Sequence, residues 1–580
     1  MKRFAIIITL ILTVLMLVSC SDRTNLSLYS FKSKQEIINL LDQRSGFKLF
    51  DYDSFPLPTA PGDSISTESK DYSTTNTQEK NIDEGDIIKT DGTNIYFLST
   101  SGLRIIGVNN GDLSLLCSED YQNYTPYEMY IYEDKLIVIG GIYKEVVMSP
   151  YYTGMTLDCC MWYYMVEVSV RTYSFNGANL KLEHELLVSG FYNTSRFVNG
   201  KLYYFVYDYA KMVDQELSLP YIKVNNEDKK EIDISKVFYL KSLGNYSSLI
   251  SIFGYIDINT FELEYKGVFS SYSEIYFTDS YIYFIFAKWD YSGLFFIQEY
   301  QVDSIIVRVN NADLSFDKGI LIDGYIKDRY SLSEYNGFLR IVSTISSSAI
   351  PRNTILTILN SQFKKVSEIR DIAPGETVFS VKFLGDKGTI VTFLQIDPLF
   401  TLDLSDPYHP TISQGLKEEG VSMYLHYIEG THYLIGVGYS AGFRGVKVTL
   451  YDIQGDDAVI INTISFDGYS YSQLLYNPKA LVYSLERNIF AFCIETWDYS
   501  IDHYTLKQGL VVFRILEGEL VNTAILTDID LNTDYNNFYY FSIQRGVQIG
   551  NCIYTISNTF VSSYSLNDFS LIDKLQISNP

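Results

Sequence analysis

The chain has 580 residues, of which 47% are hydrophobic and 20% charged, and its formal net charge is −24. This composition excludes wholesale disorder, because it supplies enough apolar side chains for a sizeable core, and the length suits several domains or one repeat array. The negative charge argues against nucleic-acid binding and against a polybasic contact with anionic lipid, since both need a basic surface.

The first twenty residues have the pattern of an export signal. Met1-Lys2-Arg3 gives a basic start, and an apolar run follows from Phe4 to Val18. The run is shorter than the roughly 20 apolar residues of a membrane-spanning helix, so residues 1–20 are predicted to be a signal peptide. Leu17-Val18-Ser19-Cys20 resembles the bacterial lipobox, which implies lipidation of Cys20 and anchoring to the membrane by acyl chains. An ordinary signal peptide with a chance cysteine is the alternative.

Residues 21–70 are predicted to form a short helix and a linker. Ser33 can cap a helix whose apolar face carries Ile37, Ile38, Leu40 and Leu41. Proline, glycine, serine and threonine then dominate up to Thr77, a composition typical of a tether. The remaining residues, 71–580, are predicted to form one domain.

One sequence pattern recurs in this domain: a polar turn that leads into a strand of aromatic and aliphatic residues. Nine such openings begin near residues 91, 133, 199, 279, 336, 385, 430, 486 and 550. Their spacing is typical of propeller blades with insertions, and radial repetition hides the edges of many short strands. Because one blade can supply two openings, we predict an all-β fold with a single β-propeller of about eight blades, with seven or nine as alternatives. A long β-sandwich array and a β-solenoid are the other architectures considered.

Two long excursions interrupt the repeats, between Lys144 and Tyr164 and between Tyr207 and Phe238. Recognition in a rigid propeller tends to use such loops. The first excursion holds aromatic side chains that can stack on sugar rings or anchor a protein partner, so they are the predicted ligand-binding residues. They are Tyr151, Tyr152, Trp162, Tyr163 and Tyr164. Packing of these rings onto the domain is the alternative.

Two segments resemble known chemical sites: a hydrolase-like motif and a calcium-like loop. Gly438-Tyr439-Ser440-Ala441-Gly442 matches GxSxG, with His503 downstream, but an alternating strand pattern follows where a nucleophile elbow needs a helix. The segment is therefore predicted to be a hairpin turn. Four oxygen-bearing residues stand at the alternate positions that calcium loops use: Asp528, Asp530, Asn532 and Asp534. Thr533 and Tyr539 replace the glycine and glutamate of an EF-hand, which favours a polar loop.

Other polar and sulfur-bearing residues give no catalytic or metal-binding pattern. Asp83, Glu84 and Asp86, beside Lys89, are predicted to be a turn network that fixes the first blade, with cation binding as the alternative. Asp397, Asp403 and Asp406 fit turns and strand ends. The cysteines after Cys20 are odd in number and show no CxxC, and the histidines show no metal spacing, so no cofactor is expected apart from the calcium alternative.

Several stretches together resemble a family of secreted bacterial and archaeal proteins with a C-terminal β-propeller distantly related to WD40 repeats. The stretches are Thr74–Asn76, Asp83–Gly92, Gly190–Arg196, Tyr335–Arg340, Ala373–Pro407 and Arg545–Gly550. The chain departs from the family pattern at Gly85, where alanine is usual, and at Lys80-Asn81. The resemblance implies the fold and an exported location, and it supplies no catalytic residues.

These observations favour an exported lipoprotein at the outer face of the membrane or in the cell envelope. Its predicted role is a non-catalytic binding or scaffold protein that recognises a surface protein, a peptide or a glycan. The alternative is an extracellular hydrolase or lyase that cleaves a polymer on the propeller scaffold.

Overall fold

Antiparallel strands make up most of the computed structural model. It describes residues 26–42, 71–146, 163–177, 179–213, 216–243, 248–292, 299–348, 351–393, 397–442, 444–466, 468–499, 504–527 and 538–579. The chain starts with strand β1 (Leu28–Ser30) and helix α1 (Lys34–Asp42), the short helix that the sequence predicts. Four-stranded antiparallel meanders follow one another along the rest of the chain. No helix among the described residues is both long and apolar enough to span a membrane.

The first three meanders occupy residues 88–270. Meander 1 consists of β2 (Ile88–Thr90), β3 (Asn94–Ser99), β4 (Gly102–Asn109) and β5 (Asp112–Asp120). Meander 2 consists of β6 (Thr125–Tyr132), β7 (Lys135–Val146), β8 (Tyr163–Phe175) and β9 (Leu180–Ser189). Meander 3 begins with β10 (Phe191–Val198) and β11 (Lys201–Tyr209); an insertion follows with β12 (Lys211–Val213), β13 (Glu216–Ser218), β14 (Tyr221–Val224), β15 (Lys230–Glu231) and β16 (Val237–Leu240). It ends with β17 (Leu249–Asp257) and β18 (Leu263–Ser270).

Meanders 4 to 6 occupy residues 273–418. Meander 4 consists of β19 (Ser273–Phe277), β20 (Tyr281–Ser292), β21 (Glu299–Asn310) and β22 (Phe316–Ile322). Meander 5 consists of β23 (Leu332–Tyr335), β24 (Phe338–Ser347), β25 (Asn353–Asn360) and β26 (Lys365–Ile372). Meander 6 consists of β27 (Thr377–Leu384), β28 (Lys387–Phe393), β29 (Asp397–Asp403) and two short edge strands, β30 (Thr411–Ile412) and β31 (Leu416–Glu418).

Meanders 7 to 9 complete the chain. Meander 7 consists of β32 (Val421–Tyr427), β33 (Tyr433–Tyr439), β34 (Val446–Asp452) and β35 (Val459–Ser465). Meander 8 consists of an interrupted first strand, β36 (Tyr469–Tyr471) and β37 (Val482–Ser484), then β38 (Ile489–Tyr499), β39 (Tyr504–Leu516) and β40 (Glu519–Leu526). After the short helix α2 (Phe538–Phe541), meander 9 consists of β41 (Ile543–Ile549), β42 (Cys552–Ser557), β43 (Phe560–Ser565) and β44 (Leu571–Gln576).

The hydrophobic core forms a closed series of interfaces between consecutive meanders. Each cluster of buried side chains contains residues from neighbouring meanders, as with Ile105 of β4 and Met129 of β6. The series closes because Ile95 and Ile106 of meander 1 pack with Val547 and Tyr554 of meander 9. Closure of this kind removes the free sheet edges that a linear array would leave.

The recurring turn-and-strand pattern of the sequence occupies the same place in every meander. Each of the nine openings leads into the second strand of a different meander: β3, β7, β11, β20, β24, β28, β33, β38 and β42. Two of the turns, Asn199-Gly200 and Asn336-Gly337, have positive φ at both residues, as tight hairpins between twisted strands require. The described residues thus contain nine successive antiparallel meanders, each with one such turn before its second strand.

Residues 26–42 pack against the outer edge of meanders 3 and 4. Strand β1 pairs with β16, and the Leu26 N–H donates to the Gly319 carbonyl of β22. Phe31 and Ile37 are fully buried, and the Phe31 ring stacks on Tyr239 at 4.6 Å. The predicted short helix thus packs against the outer edge of the ring.

The second predicted excursion, from Tyr207 to Phe238, is largely built into neighbouring sheets. Strand β14 adds to the edge of meander 2 by pairing with β9, and β16 adds to meander 3 by pairing with β18. The insertion therefore covers two outer edges that would otherwise expose unpaired backbone groups.

Candidate functional site

Most of the residues proposed from the sequence for lipidation, ligand binding or calcium binding lie outside the described residues. They are Cys20, Tyr151, Tyr152, Trp162, Asp528, Asp530, Asn532 and Asp534. Tyr163 and Tyr164 begin β8, where they pair with Val146 and Glu145 of β7. The long hairpin of meander 2 thus extends to these two tyrosines, and their part in binding stays a prediction.

The GxSxG segment is a hairpin turn, as predicted. It connects β33 with β34, and Gly442 has a φ of +79°. The Ser440 hydroxyl donates to the Gly445 carbonyl at 3.1 Å. A second strand follows the serine in place of the helix of a nucleophile elbow, so this serine does not have the geometry of a hydrolase nucleophile.

The acidic cluster near the start of the domain is held by ion pairs inside the ring. Lys89 donates to Asp83 at 2.6 Å, Arg329 donates to Glu84 at 2.8 Å, and Arg545 contacts Asp86 at 3.3 Å. Burial of Glu84 raises its pKa, but the charge and hydrogen bond of Arg329 outweigh burial, so the pKa lies below its ordinary value. These contacts confirm the predicted structural network, and its partners come from distant meanders.

Residues 71–87 cross the centre of the ring before they enter meander 1. Tyr72 pairs with Ile549 of β41, Asp83 pairs with Phe197 of β10, and Asp86 pairs with Met129 of β6. Between these bridges, the Asn76 amide donates to the Tyr424 hydroxyl of β32, and Tyr276 of β19 donates to Glu79. This hub segment contacts the first strands of five meanders and fills the space where a propeller would have its channel.

Residues 472–481 of meander 8 also reach into the hub. Two turns of 3₁₀-helix, Gln473–Leu475 and Pro478–Ala480, separate β36 from β37. Lys479 lies on the second turn and donates to Glu128 of β6 at 3.1 Å. Tyr192 and Ser195 of β10 also donate to this carboxylate. The hub is thus closed by hydrogen bonds and ion pairs between opposite parts of the ring.

The two faces of the ring differ in their connections. In an antiparallel meander, the turns after the first and third strands lie at one end, and the turn after the second strand lies at the other. The turn face carries connections as short as Glu133-Asp134 and Gly550-Asn551. The opposite face, which we call the hairpin face, carries the connections between the second and third strands. The longest strand pairs, β20 with β21 and β38 with β39, end at this face.

A contiguous set of aromatic side chains lies on the hairpin face of meanders 2 to 4. We name it the aromatic strip, and its members are Tyr127, Tyr143, Phe191, Tyr192, Tyr207, Tyr272 and Tyr325. Each residue stands at the end of a first or second strand or in the connection to the next meander. Strand ends at this face therefore bring together residues from four separate parts of the chain.

Ring contacts join most of the strip. The Tyr127 and Tyr143 hydroxyls lie 3.0 Å apart, and the Tyr127 ring stacks on Tyr192 at 5.5 Å. Phe191 stacks on Tyr207 at 5.5 Å, and Tyr207 meets Tyr272 edge-on at 6.0 Å. Such contacts hold the rings in fixed orientations.

Parts of the strip remain open to solvent. The exposed fraction is 49% for Tyr143, 37% for Phe191 and 38% for Tyr325. Further along the same face, Trp289 and Tyr300 are also exposed, with ring centroids 6.2 Å apart. Fixed and exposed aromatic rings of this kind are typical of recognition surfaces.

A partly exposed carboxyl group, Glu274 of β19, lies beside the strip. Its burial, with the nearby Asp328 carboxylate, raises its pKa to about 7, against the opposing hydrogen bond of Tyr272. Asp328 itself is buried and accepts hydrogen bonds from the Tyr330 and Ser331 N–H groups. The Asn193 amide, which contacts the Tyr272 hydroxyl at 3.1 Å, is a further polar neighbour.

Sequence reasoning did not identify the aromatic strip. Tyr207 occurs in β11, whose nearly continuous aromatic and aliphatic pattern indicates burial on both faces. Tyr127 and Tyr192 occur in strands that mix polar and aromatic residues, with no local pattern that marks a shared surface. The position of an aromatic residue along its strand could have predicted the strip. In an antiparallel pair, an aromatic residue at the start of the first strand lies opposite one near the end of the second strand, as Phe191 lies opposite Tyr207.

Among the described residues, no group of three or more histidine, cysteine, aspartate and glutamate side chains could hold a metal ion. His426 is buried on β32 between aromatic rings, and burial lowers its pKa to about 3. Cys117, Cys493 and Cys552 are free thiols, and burial raises the pKa of each.

The fold defines a β-propeller whose centre is filled by its own hub segment, residues 71–87. The family profile described as the beta propeller domain matches residues 72–569, and the chain belongs to this family. An uncharacterised protein of Methanocaldococcus jannaschii is 24% identical over 572 residues, which cover 89% of this chain and 85% of the relative. An uncharacterised protein of Archaeoglobus fulgidus is 25% identical over 536 residues, with coverages of 80% and 82%.

Solved structures resemble the chain only remotely. Apo AztD from Citrobacter koseri matches with a TM-score of 0.34 and 11% identity, over 86% of this chain and 94% of that one. Kuenenia stuttgartiensis hydrazine synthase matches with a TM-score of 0.28 and 9% identity, over 46% of this chain and 74% of that one.

Proposed function

We propose that this protein is an exported, lipid-anchored binding protein of the cell envelope that holds its ligand on the hairpin face without catalysis. The aromatic strip is the observation that carries the proposal. It offers fixed, partly exposed rings on one face, while the hub is closed by the protein's own residues.

Among protein, peptide and glycan ligands, the strip favours a glycan. Tyrosine rings can stack on the apolar faces of sugars, and neighbouring carboxyl and amide groups can bind the hydroxyl groups. Glu274 and Asn193 provide such groups beside Tyr272. The net charge of −24 supports a neutral or cationic ligand over a nucleic acid.

The binding experiment uses the soluble chain without its first twenty residues, immobilised and offered a glycan array and solubilised envelope proteins. We expect glycan capture that falls by at least an order of magnitude in a Tyr143→Ser, Tyr207→Ser double variant. Tyr408→Ser is the matched control, because Tyr408 is 56% exposed but lies on the turn face of meander 6. Equal capture by all three folded proteins would remove the strip from the proposal.

The anchor is tested separately by metabolic labelling with a fatty-acid probe. The wild type is expected to carry the probe and Cys20→Ala to lack it, because the lipobox cysteine is the predicted acylation site. Equal labelling of the two proteins contradicts the anchor and leaves the ligand-binding proposal standing.

Glu274 favours a second candidate function, an extracellular hydrolase or lyase that cleaves a polymer. A carboxyl group with a pKa of about 7 near a second carboxyl group is the arrangement of a general acid. If polysaccharide is cleaved by the wild type and not by Glu274→Gln, the enzyme replaces the binding protein. Binding without turnover supports the first proposal.

A further inference from the structure

The segment that follows the predicted lipid anchor is fixed on the outer rim of the ring. The Leu26 N–H donates to Gly319 of β22, the outermost strand of meander 4, and β1 pairs with β16 beside it. Burial of Phe31 and Ile37, together with the Lys34 hydrogen bond to the Leu217 carbonyl at 2.8 Å, extends this attachment through α1.

Cys20 is therefore close to the ring along the chain. Residue 26 is the first docked residue, so Cys20 precedes it by six positions. A fully extended chain spans at most about 3.3–3.6 Å per residue, which limits the distance from Cys20 to Leu26 to about 20 Å. The long linker of residues 43–70 lies after the docked segment and connects α1 with the hub, so it adds nothing to this distance.

We infer that the outer rim of meanders 3 and 4 is the surface that faces the membrane, and that the ring stands edge-on to the bilayer. This inference rests on the lipid anchor of the proposed function. The occupant of the rim is the lipid headgroup region, because an acyl anchor on Cys20 leaves this rim within about 20 Å of the bilayer.

The side chains of the rim fit such a contact. Tyr29 is 43% exposed, and the Lys241 ammonium lies 4.8 Å from the centre of its ring. Tyrosine rings favour the headgroup level, and lysine can extend its ammonium group into the same layer. Lys32, three residues after Tyr29, is also exposed on the docked segment.

Edge-on mounting has a consequence for binding. Both faces of the ring are then perpendicular to the membrane plane, so the aromatic strip faces the solvent in a direction parallel to the membrane surface. A ligand that runs along the membrane surface can reach the strip without passing between the ring and the bilayer.

The test uses the full lipidated chain in phosphatidylcholine vesicles with a headgroup-linked acceptor dye. A donor dye is placed by a bio-orthogonal residue at position 241 or at position 525. Ile525 is 58% exposed on β40 of meander 8, far around the ring from meanders 3 and 4. We expect energy transfer that is several-fold higher from position 241 than from position 525.

A Gly/Ser insertion between Thr24 and Asn25 is the decisive variant, because it leaves every docked residue in place. An insertion of roughly 30 residues has a root-mean-square span of about 30 Å, so the ring can turn freely and the two transfer efficiencies should become equal. Equal efficiencies in the protein without the insertion, while it floats with the vesicles, overturn the inference.

Failure of the anchor gives a different result. If the wild type does not float with vesicles and behaves as Cys20→Ala does, transfer is low from both positions. That outcome refutes the anchor and, with it, the membrane-facing rim, whereas flotation with equal transfer refutes the rim alone.

Discussion

The Lys479 ammonium donates to the Glu128 carboxylate at 3.1 Å and so joins the eighth meander to the second across the hub. Burial raises the pKa of Glu128, but the Lys479 charge and the hydrogen bonds of Ser195 and Tyr192 lower it below its ordinary value overall. The two side chains are only 18% and 11% exposed, so water replaces little of this interaction when one partner is removed.

The first prediction follows from this pair. Lys479→Met should lower the free energy of unfolding by about 3–5 kcal/mol, because it leaves a buried carboxylate uncompensated. The double variant Glu128→Gln, Lys479→Met should lose less, and urea denaturation measures both. Lys230→Met is the control and should change the free energy of unfolding little, since its pair with Glu227 is mostly exposed, at 73% and 58%.

The same pair has a pH dependence with a fixed sign. An acid with a lowered pKa stabilises the folded state above the ordinary pKa of a glutamate, and this stabilisation is lost as the pH falls through the folded pKa. Acid denaturation of the wild type should therefore be steeper than that of the double variant. Identical acid transitions would contradict a charged Glu128 in the hub.

Gly85 gives the second prediction, because a Cβ atom there would overlap the Glu128 carboxyl group. That carboxyl accepts hydrogen bonds from Lys479, Tyr192 and Ser195, which would have to break if it moved away. Gly85→Ala should cost about 1–3 kcal/mol of unfolding free energy, as overpacking usually does. Gly455→Ala is the matched control, since its added Cβ meets only one atom, at 3.7 Å. Equal stability of the two variants would contradict the tight packing.

The departure from the resembled family at Gly85 thus has a local explanation that sequence alone could not supply. The alternation of turns and strands predicts each second strand, since tight turns and aromatic strands are local patterns. The partners of Glu84 and Glu128, by contrast, come from Arg329 and Lys479, hundreds of residues away. No periodicity encodes such contacts, and the same applies to the strip, whose rings meet only after the ring has closed.

Glu274 gives the third prediction. Its pKa of about 7 exceeds the ordinary value of 4.5, so between these values the folded state holds the proton more firmly than the unfolded chain. The contribution of protonated Glu274 to the free energy of unfolding is therefore complete at low pH, and it is lost as the pH rises to about 7. Glu274→Gln should therefore gain melting temperature relative to the wild type between pH 5 and pH 8.

Calorimetry at several pH values measures this gain, and Glu262→Gln, at an exposed carboxyl group, is the control. A difference between Glu274→Gln and the wild type that stays constant with pH would contradict the raised pKa.

The fourth prediction concerns closure of the ring. A chain cut after Ser565 lacks β44, and with it the Asp573 carboxylate that accepts the Leu113 N–H at 2.9 Å and the Ile577 carbonyl that accepts from Arg104. Both contacts join meander 9 to meander 1, so their loss should lower the melting temperature of the whole domain. A cut after Ile577 is the control and should melt near the wild type. If the chain that ends at Ser565 has the same melting temperature as the wild type, the prediction that β44 closes the ring is wrong.

The last prediction tests the long hairpin of meander 2. The strands β7 and β8 stay paired as far as Val146 and Tyr163, and Lys144 donates to Glu167 at 2.7 Å. Replacing residues 147–162 by a short glycine turn therefore leaves every described pair intact, and we expect an unchanged melting temperature. The replacement removes Tyr151, Tyr152 and Trp162, which the sequence predicts to bind the ligand, so glycan capture should fall, as measured on the array used for the strip variants. The same replacement of residues 293–298 in meander 4 controls for the loss of a loop from this face. Undiminished capture by the folded meander 2 variant would show that binding uses the strip without this hairpin.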